Sequence, residues 1–477
     1  MNLKPLVVDL DGTLIHTDML HESVLSVVRQ NPFIIPVIIF LIFKGKASLK
    51  KFLASRFKFD PKSLPYNNEL IRWLTQQRAD GRKLILCTAS DIKIATVISE
   101  HLLIFDEVIA SNGIINIAGQ KKAEVLVQRF GYSGFDYVGN SATDLQVWKH
   151  SYRAVVVYAT NSLTDKVRSL HVVEKIFPSK TIKISSWVRV LRLHQWLKNS
   201  LLFIPLLAAH QLLNSNDWVL LILAFFSFSI CASSVYITND LFDLESDRMH
   251  PRKQYRPFAS GLMPIWFGVA LAPMLLVLGI ILATYVGGKF IPWLLFYFIL
   301  TVFYSLGLKR LLLVDCITLA MLYTLRIVAG AAVLNHNLSF WLLAFSVFLF
   351  LSLAFVKRYS ELEIQLLSGI EKVHGRGYFT SDASLIQTMG ITSGYSSVLV
   401  LALYLNSDAV IKLYKTPQLI WGAVPIMLFW ISWMWMQAHR GNMHDDPLVF
   451  AVKDKASLFA GVLFVGILAI GTIGLQW

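Results

Sequence analysis

A succession of long apolar segments occupies the C-terminal part of the sequence and constrains its fold more than any other feature. We identify nine of them, at approximately 200–213, 218–238, 265–286, 290–307, 313–333, 338–356, 389–406, 418–436 and 456–475. Most approach the ~20 residues that a helix needs to cross the hydrocarbon core of a bilayer. The mean hydropathy of +0.56 is correspondingly too high for a soluble protein. We therefore predict an all-α polytopic membrane domain of about nine transmembrane helices over residues 199–477.

The net charge of +14 is distributed as in a membrane protein, not as in a nucleic-acid-binding protein. Basic residues lie at the ends of the apolar segments and do not form tracts. With the N-terminal region in the cytosol, cytosolic segments hold seventeen Lys and Arg residues and the opposite loops hold three, Lys289, Lys412 and Lys415. This asymmetry follows the positive-inside rule. We therefore predict a multi-pass protein of the inner or plasma membrane, with its N-terminal domain and active sites on the cytosolic side and with no nucleic-acid partner.

Residues 1–170 are mixed in polarity and alternate strand-like with helix-like segments. The strand-like segments Leu6–Leu10, Lys83–Thr88 and Phe135–Gly139 are short apolar runs. Strands that alternate with helices are typical of a parallel α/β sheet, whose functional residues gather at the carboxyl ends of the strands. Residues 171–198 mix Trp, Leu and Val with basic residues, which suits an amphipathic linker at the membrane interface.

The acids after the first strand carry a family resemblance. Asp9-Leu10-Asp11-Gly12-Thr13 resembles the first motif of the haloacid dehalogenase (HAD) phosphatases, and Gly139-Asn140-Ser141-Ala142-Thr143-Asp144 resembles their last, acidic motif. The resemblance implies a Rossmann-like parallel sheet with a helical cap. It also implies the following roles: Asp9 as nucleophile and metal ligand, Asp11 as general acid and base, Thr88 and Lys122 as phosphoryl-binding residues, and Asn140 and Asp144 as Mg²⁺ ligands.

One position departs from the pattern of that family. The family often has Asp where this sequence has Asn140, and an amide oxygen can bind Mg²⁺ but brings no charge. Two interpretations of the domain therefore stay open, an active phosphatase and an inactive scaffold or regulatory module.

An apolar run, Phe33–Phe43, follows the first strand of the N-terminal domain. It is too short to cross a bilayer, which takes ~20 residues. We interpret it as a helix of the cap. The sequence leaves open whether this helix packs inside the domain or touches the membrane.

A regular acidic motif follows the second apolar segment. Asn239, Asp243 and Asp247 are spaced i, i+4 and i+8, which on a helix places them on nearly one face. Carboxylates this close repel each other unless a cation lies between them. Hard oxygen ligands suit Mg²⁺, whose coordination is commonly completed by substrate phosphates. The motif therefore predicts a Mg²⁺ site where a span leaves the membrane.

Nine spans with this motif after the second one resemble the UbiA superfamily of intramembrane prenyltransferases. Tyr304 and Lys309, within Tyr304-Ser305-Leu306-Gly307-Leu308-Lys309-Arg310, resemble a further element of that superfamily, Y-x-x-x-K, although four residues separate them here instead of three. The resemblance implies that Asn239, Asp243 and Asp247 bind a substrate diphosphate through Mg²⁺, with both aspartates catalytic. It also implies that Tyr304 and Lys309 contribute to substrate binding.

The loop after the sixth span resembles one branch of the superfamily. Aromatic prenyltransferases have a second D-x-x-x-D motif there, where this chain has Lys357-Arg358-Tyr359-Ser360-Glu361. Together with Lys198 and Arg376, this segment resembles the decaprenyl-phosphate phosphoribosyltransferases. That branch transfers 5-phosphoribose from phosphoribosyl pyrophosphate (PRPP) to a membrane lipid, a polyprenyl phosphate.

Two polyanionic substrates require many cations. We therefore expect four basic residues to bind substrate, namely Lys198, Lys357, Arg358 and Arg376. With the second acidic motif missing, we expect Asp445, Asp446 or Glu361 to assist the metal site.

The preferred hypothesis is a Mg²⁺-dependent transferase whose HAD domain dephosphorylates the transferred product. One alternative is a UbiA-type prenyltransferase that moves a prenyl group from a prenyl diphosphate to an aromatic or other acceptor. An alternative of another class is a membrane carrier with an inactive HAD sensor domain. No protein partner is predicted.

Overall fold

The computed structural model describes residues 3–112, 115–179, 182–209, 214–367, 369, 376–411, 414–443 and 446–474. The chain divides into two compact units. One comprises Met1–Leu191 and Tyr236–Ala272 and is called the α/β unit; the other comprises Arg192–Val235 and Pro273–Trp477 and is called the membrane unit.

A six-stranded parallel sheet forms the centre of the α/β unit. Its strands are β1 (Leu6–Val8), β2 (Leu84–Asp91), β3 (Glu107–Ser111), β4 (Asp136–Gly139), β5 (Ala154–Val157) and β6 (Val173–Phe177). Their order in the sheet is β3-β2-β1-β4-β5-β6, and every neighbouring pair is parallel. Because β1 lies between β2 and β4, the residues that follow these three strands meet at one edge. The predicted parallel α/β fold is confirmed.

The strands form where short apolar runs are buried on both faces. In β1, Leu6 and Val8 pack into one core and Val7 into the core on the opposite face. The end of strand β2 and the end of the whole sheet lie further along the chain than the sequence predicts. β2 continues past Thr88 to Asp91, and β6 extends the sheet to Phe177, beyond residue 170. Two of the five residues of β6 (VEKIF) are charged, so pairing with β5 defines this strand more than its apolar content does.

Three helices between β1 and β2 form the predicted cap: α1 (Met19–Gln30), α2 (Ile35–Lys44) and α3 (Lys46–Ala54). They share a small core that includes Val27, Ile38, Leu49 and Leu53. The other helices before the membrane unit are α4 (Asn68–Ala79), α5 (Ile92–Leu102), α6 (Gln120–Phe130), α7 (Leu145–Trp148), α8 (Asn161–Leu170) and α9 (Ile184–Leu191).

The second segment of the α/β unit, residues 236–272, packs against the first. The buried Arg248 guanidinium pairs with Glu22 of α1 at 2.5 Å. Gly261 lies against His16, since a Cβ at this glycine would meet the His16 Cβ at 2.4 Å. Its φ of +71° also favours glycine. The segment that carries the acidic motif therefore contacts the cap of the α/β unit.

The remaining secondary-structure elements of the described residues are helices. The helices are α10 (Ile204–Ala208), α11 (Ser215–Phe242), α12 (Leu244–Met249), α13 (Ile265–Val286), α14 (Phe290–Leu306), α15 (Val314–Val333), α16 (Phe340–Leu367), α17 (Ala383–Leu405), α18 (Asp408–Ile411), α19 (Pro417–Ile420), α20 (Ala423–His439), α21 (Pro447–Lys453) and α22 (Lys455–Ile473).

Seven stretches of the described chain are long and apolar enough to cross a membrane: Ser215–Phe242, Ile265–Val286, Val314–Val333, Phe340–Leu367, Thr380–Leu405, Pro417–His439 and Lys455–Ile473. α14 is apolar but has 17 residues. The first predicted span coincides with the 3₁₀ stretch Leu193–Phe203 and the short α10, and residues 210–213 lie outside the described part. An all-α membrane domain is confirmed, and the count of nine spans stays a prediction.

Arg326 is buried in the membrane unit and connects three of its elements. Its Nε donates to Asn199 Oδ1 at 2.8 Å, and its Nη2 donates to the Tyr297 hydroxyl at 3.3 Å. Its Nη1 donates to the Leu322 carbonyl. An arginine inside a membrane helix is expensive unless its donors are satisfied. These bonds therefore tie the 3₁₀ stretch Leu193–Phe203 and α14 to α15.

We predict that Arg82→Met destabilises the sheet of the α/β unit. Arg82 is buried and pairs with Asp136 of β4 and with Glu174 of β6. Removal of the guanidinium leaves the buried Asp136 carboxylate unpaired, so the opening free energy of β4 and β6 should fall by about 3 kcal/mol. The measurement is hydrogen exchange of the full-length protein.

The matched control for this substitution is Arg168→Met. Arg168 and its partner Asp165 are both exposed, so hydrogen exchange should change by no more than ~0.5 kcal/mol. Equal protection of β4 in the two variants would contradict the structural role of Arg82.

Candidate active sites

The carboxyl end of β1 carries the first candidate site. Asp9 directly follows β1 and is buried, and its Oδ1 accepts a hydrogen bond from Lys122 Nζ at 2.7 Å. Lys122 lies in the first turn of α6 and is also buried. Burial raises the pKa of the Asp9 carboxyl to about 6, although the Lys122 ammonium opposes that rise. At neutral pH an ionised Asp9 therefore lies beside a fixed cation.

Tyr137 links Lys122 to Asp144. Lys122 Nζ donates to the Tyr137 hydroxyl at 3.0 Å, and that hydroxyl donates to Asp144 Oδ1 at 2.9 Å. Asp144 Oδ2 accepts from the N–H groups of Asn140 and Ser141, at 3.0 and 2.9 Å, and from the Ser141 hydroxyl at 2.9 Å. Protein donors thus contact both oxygens, so we expect Asp144 to fix the loop after β4 more than to bind a metal directly.

Asp11 lies two residues beyond Asp9 and is held by donors from two elements. Its Oδ1 accepts from the Met19 N–H at the start of α1, at 2.8 Å, and its Oδ2 accepts from the Ser90 hydroxyl at 2.7 Å. Thr88 Oγ1 lies 3.4 Å from the same Oδ2. Burial, assisted by two neighbouring carboxylates, raises the pKa of Asp11 to about 7. Such a carboxyl can both donate and accept a proton near neutral pH.

Gly12 allows the loops after β1 and β4 to approach each other. Its φ is +73°, and a Cβ at this position would lie 2.2 Å from Asn140 Nδ2. Only glycine tolerates both the backbone conformation and the contact. The close approach brings the Asn140 amide to the site of Asp9 and Asp11.

The donor set of this site fits a divalent cation. Three carboxylates, Asp9, Asp11 and Asp144, share the site with one ammonium, Lys122, and the raised pKa values of Asp9 and Asp11 reflect burial together with this excess of negative charge. Among the described residues, no group of three or more His, Cys, Asp or Glu side chains is placed as a metal site. We therefore expect Asp9 and Asn140 to hold Mg²⁺ together with substrate phosphate and water.

The second candidate site lies at the junction of α11 and α12. α11 ends at Phe242, and Asp243 precedes the first residue of α12. The Asp243 N–H still donates to the Asn239 carbonyl at 2.9 Å, and the Asp247 N–H donates to the Asp243 carbonyl at 2.8 Å. Asn239, Asp243 and Asp247 therefore remain about one helical turn apart despite the break.

Arg256 supplies a cation to this acidic region. Its Nη1 pairs with Asp240 at 3.0 Å and with Asp247 at 2.6 Å, and both acids are buried. Burial raises the pKa of Asp247, although Arg256 opposes that rise. Arg256 thus relieves part of the electrostatic repulsion between Asp240 and Asp247. It also occupies one carboxylate oxygen of Asp247.

A buried carboxylate organises the basic residues of the membrane unit. Asp446 Oδ2 pairs with Lys198 Nζ at 2.6 Å and with Lys357 Nζ at 3.4 Å. The Tyr323 hydroxyl lies 2.9 Å from each Asp446 oxygen. Although burial alone would raise it, the two ammonium groups hold the pKa of Asp446 well below its ordinary value. Asp446 therefore keeps Lys198 and Lys357 side by side.

Asp315 forms ion pairs with two arginines and holds them together in the same way. Its Oδ2 pairs with Arg358 Nη2 at 2.5 Å and with Arg376 Nη1 at 3.2 Å, and Tyr378 donates to its Oδ1 at 2.5 Å. Glu361 pairs with the same two guanidinium groups. Because Arg358 is fully buried between two carboxylates, we expect it to hold this arrangement and not to contact a substrate phosphate.

Tyr304 and Lys309 lie at the end of α14 and just beyond it. Tyr304 is within electrostatic reach of Lys357, Arg358 and Arg376. Lys309 lies in the 3₁₀ turn Leu308–Arg310. Gly377 packs against this turn, since a Cβ at Gly377 would lie 2.6 Å from the Arg310 carbonyl oxygen.

We call Lys198, Tyr304, Lys357, Arg358 and Arg376 the basic cluster. Its four cationic side chains are accompanied by three carboxylates, those of Asp315, Glu361 and Asp446. Its surplus of positive charge is therefore smaller than the sequence suggests. Asp446 and Glu361, which we expected to assist a metal site, pair with these cations in the structure. Asp445 lies outside the described residues.

The structure thus brings the predicted residues of the N-terminal domain into one site, namely Asp9, Asp11, Thr88, Lys122, Asn140 and Asp144. Sequence reasoning missed Ser90 and Tyr137. Ser90 follows Thr88 by two positions on β2, so strand alternation places both on one face and could have identified it. Sequence reasoning also missed Tyr323 and Asp315, because the residues that they contact are distant in the sequence.

The α/β unit therefore gathers the residues of the HAD-like motifs at one edge of a parallel sheet, and the helical part contains a cluster of basic residues paired with carboxylates. The model of the UbiA prenyltransferase family matches residues 201–453, more than half of the chain, so the protein belongs to the UbiA prenyltransferase family. Because seven stretches of its described residues are long and apolar enough to cross a membrane, it is a multi-pass membrane protein.

Several curated proteins are similar to this chain. An uncharacterized protein of Sinorhizobium fredii, y4nM, is 35% identical over 461 residues, which cover 96% of this chain and 89% of the relative. The nodulation protein NoeC of Azorhizobium caulinodans is 36% identical over 62% of this chain and 95% of its own length. The decaprenyl-phosphate phosphoribosyltransferase of Mycolicibacterium smegmatis is 28% identical over 62% of this chain and 93% of its own length.

Solved structures resemble each part of the chain. A UbiA homolog from Archaeoglobus fulgidus, bound to GPP and Mg²⁺, aligns with a TM-score of 0.44 and 15% identity over 61% of this chain and 100% of that chain. A substrate-bound phosphoserine phosphatase aligns with a TM-score of 0.26 and 14% identity over 37% of this chain and 93% of that chain.

We predict that Tyr137→Phe lowers phosphatase turnover by about tenfold, because loss of the hydroxyl removes the link that orients Lys122 and Asp144. The measurement is hydrolysis of p-nitrophenyl phosphate by the purified protein with Mg²⁺. Tyr132→Phe is the control, since the exposed Tyr132 hydroxyl only donates to the Lys149 carbonyl. If both variants keep full turnover, the bridge has no part in catalysis.

Proposed function

We propose that the protein transfers 5-phosphoribose from PRPP to a polyprenyl phosphate and that its HAD-like domain then removes the 5-phosphate. The observation that carries the first step is the 28% identity to a decaprenyl-phosphate phosphoribosyltransferase over 93% of that protein's length. The basic cluster supports it, because both substrates of such a reaction are polyanions.

In the transfer step, the bond between ribose C1 and the diphosphate oxygen breaks, and diphosphate leaves with the electron pair. An oxygen of the lipid phosphate then forms the new bond to the oxocarbenium-like C1. Asn239, Asp243 and Asp247 would hold Mg²⁺, which neutralises charge on the leaving diphosphate. Arg256 already engages one oxygen of Asp247, so a metal ion there would share Asp247 with this guanidinium.

Residues of the basic cluster would bind the phosphate groups. The Lys357 side chain is 30% exposed and that of Arg376 is 21% exposed, whereas that of Arg358 is inaccessible. We therefore assign phosphate contacts to Lys357 and Arg376, with Lys198, Tyr304 and Lys309 as further contacts. Asp446 positions Lys198 and Lys357 and prevents their mutual repulsion from separating them.

In the phosphatase step, Asp9 attacks the phosphorus and the ester oxygen leaves with the electron pair and a proton from Asp11. Water then attacks the aspartyl phosphate, and Asp11 accepts the proton. The raised pKa of Asp11 suits both transfers. Lys122 offsets the charge of Asp9 and of the phosphoryl group, and Thr88 binds a phosphoryl oxygen. Sharing a chain raises the local concentration of the intermediate.

We predict that Asp243→Ala lowers the release of diphosphate from PRPP, in the presence of polyprenyl phosphate and Mg²⁺, by about 100-fold or more. Hydrolysis of p-nitrophenyl phosphate should be unchanged. Glu245→Ala is the matched control, since Glu245 lies two residues away and is exposed. Its transfer rate should stay within about twofold of the unmodified protein.

A donor screen distinguishes the alternatives. Labelled PRPP that fails to enter lipid, while a labelled prenyl diphosphate alkylates a phenol, would reverse the assignment in favour of prenyl transfer. If neither donor reacts and Asp243→Ala leaves substrate binding intact, the protein is not a transferase.

We predict that Asp9→Asn protein accumulates the phosphorylated lipid product without any change in the rate of PRPP consumption, because only the nucleophile of the second step is lost. The measurement is the ratio of phosphorylated to dephosphorylated lipid by mass spectrometry. Asp165→Asn, at an exposed position of α8, is the control. An unchanged ratio in the Asp9→Asn protein would refute the sequential reaction.

A further inference from the structure

The outer face of the cap is an unusually apolar surface. Seven large apolar side chains between Phe33 and Phe43 are exposed, and we call them the cap patch: Phe33, Ile35, Val37, Ile39, Phe40, Ile42 and Phe43. Phe33 is 90% exposed and Phe43 is 86% exposed. A contiguous apolar patch of this kind marks a site that another apolar phase covers.

The cap patch is a built feature of the fold. α2 uses only a narrow inner face for packing: Ile38 is buried against Val27, Leu49 and Leu53, and Leu41 is partly buried beside them. The helix is therefore anchored to α1 and α3, and its remaining apolar side chains point away from the domain.

The length and charge of this region indicate what covers the patch. The apolar stretch Pro32–Lys44 is too short to span a bilayer, which takes ~20 residues, but it suits insertion parallel to the surface. The sequence from 23 to 59 contains seven Lys and Arg residues and no Asp or Glu. Of those whose side chains the structure describes, five are exposed: Arg29, Lys44, Lys51, Arg56 and Lys58. An apolar face bordered by cations is complementary to an anionic lipid surface.

The α/β unit is also attached to a membrane. It contains Tyr236–Phe242, the end of the span α11, and Ile265–Ala272, the start of the span α13. Trp187 of α9, in the same unit, packs against Phe267 of α13. The unit therefore lies where two spans leave the bilayer, and a lipid surface is the apolar phase within its reach.

We propose that α2 inserts into the lipid headgroup region of the leaflet at which α11 ends and α13 begins. The cap patch would then be covered by acyl chains, with Arg29, Lys44 and Lys51 against lipid phosphates. Insertion places the cap, and with it the site of Asp9, at the membrane surface, where a lipid-linked phosphate ester can enter. The inference stands on the geometry of the cap and does not require that the transferase reaction be correctly assigned.

The test is depth-dependent quenching in the full-length protein. Phe40→Cys and Phe43→Cys variants, each labelled with an NBD fluorophore, are reconstituted in vesicles of phosphatidylcholine and phosphatidylglycerol. The native Cys87, Cys231 and Cys316 are buried, so the unmodified protein reports background labelling. Lys121→Cys, at an exposed position of α6, is the control.

If α2 is inserted, nitroxide-labelled lipid should quench the fluorescence of both cap probes and aqueous iodide should not. At residue 121, iodide should quench the fluorescence and the labelled lipid should not. Iodide quenching of the cap probes equal to that of the control would overturn the proposal. Quenching by neither agent would show that protein covers the patch, for example a second copy of this chain, and would overturn it as well.

A second measurement needs no substitution. A photoactivatable phospholipid in the same vesicles should label peptides that contain residues 33–43 and leave those of α6 unlabelled. Absence of label from the cap peptides, in protein that still labels its membrane spans, would contradict insertion whether or not the cysteine variants fold.

Discussion

The membrane unit depends on the neutralisation of buried carboxylates by buried cations. Asp446 holds Lys198 and Lys357, and Asp315 holds Arg358 and Arg376. An unpaired charge in such surroundings costs several kcal/mol, so each carboxylate forces its partners to converge. Since those partners come from the 3₁₀ stretch Leu193–Phe203, from α16 and from the segment after it, the ion pairs determine how these elements pack.

The same pairing limits how the basic cluster can act on anions. Each cation there already interacts with a carboxylate, so an incoming phosphate competes for ammonium and guanidinium groups that are partly neutralised. The proposed binding of a polyanion would therefore require a rearrangement of existing ion pairs. The partly exposed Lys357 and Arg376 can shift toward a ligand more readily than the enclosed Arg358.

Much of the architecture could be predicted from the sequence because it depends on local patterns. Apolar runs gave the parallel sheet and the membrane helices, and the first HAD-like motif identified Asp9 and Asp11. The contacts of Asp446 and Arg256 could not be predicted in this way. Asp446 meets Lys198 across 248 positions, and the cation beside Asp247 is an arginine nine residues away, so charge type alone suggested metal ligands. Burial and pairing become visible only when distant segments are brought together.

The discontinuous α/β unit has a consequence for synthesis of the chain. All six strands are complete at Phe177, yet Glu22 of the cap finds Arg248 only after the span α11 has been made. As domains fold while the chain emerges from the ribosome, the sheet can form first, and the contact between the cap and Arg248 must wait until α11 has been made. Completion of the α/β unit is therefore coupled to the membrane insertion of α11, and a ribosome stalled before residue 248 would carry the sheet without the ion pair that joins the cap to Arg248.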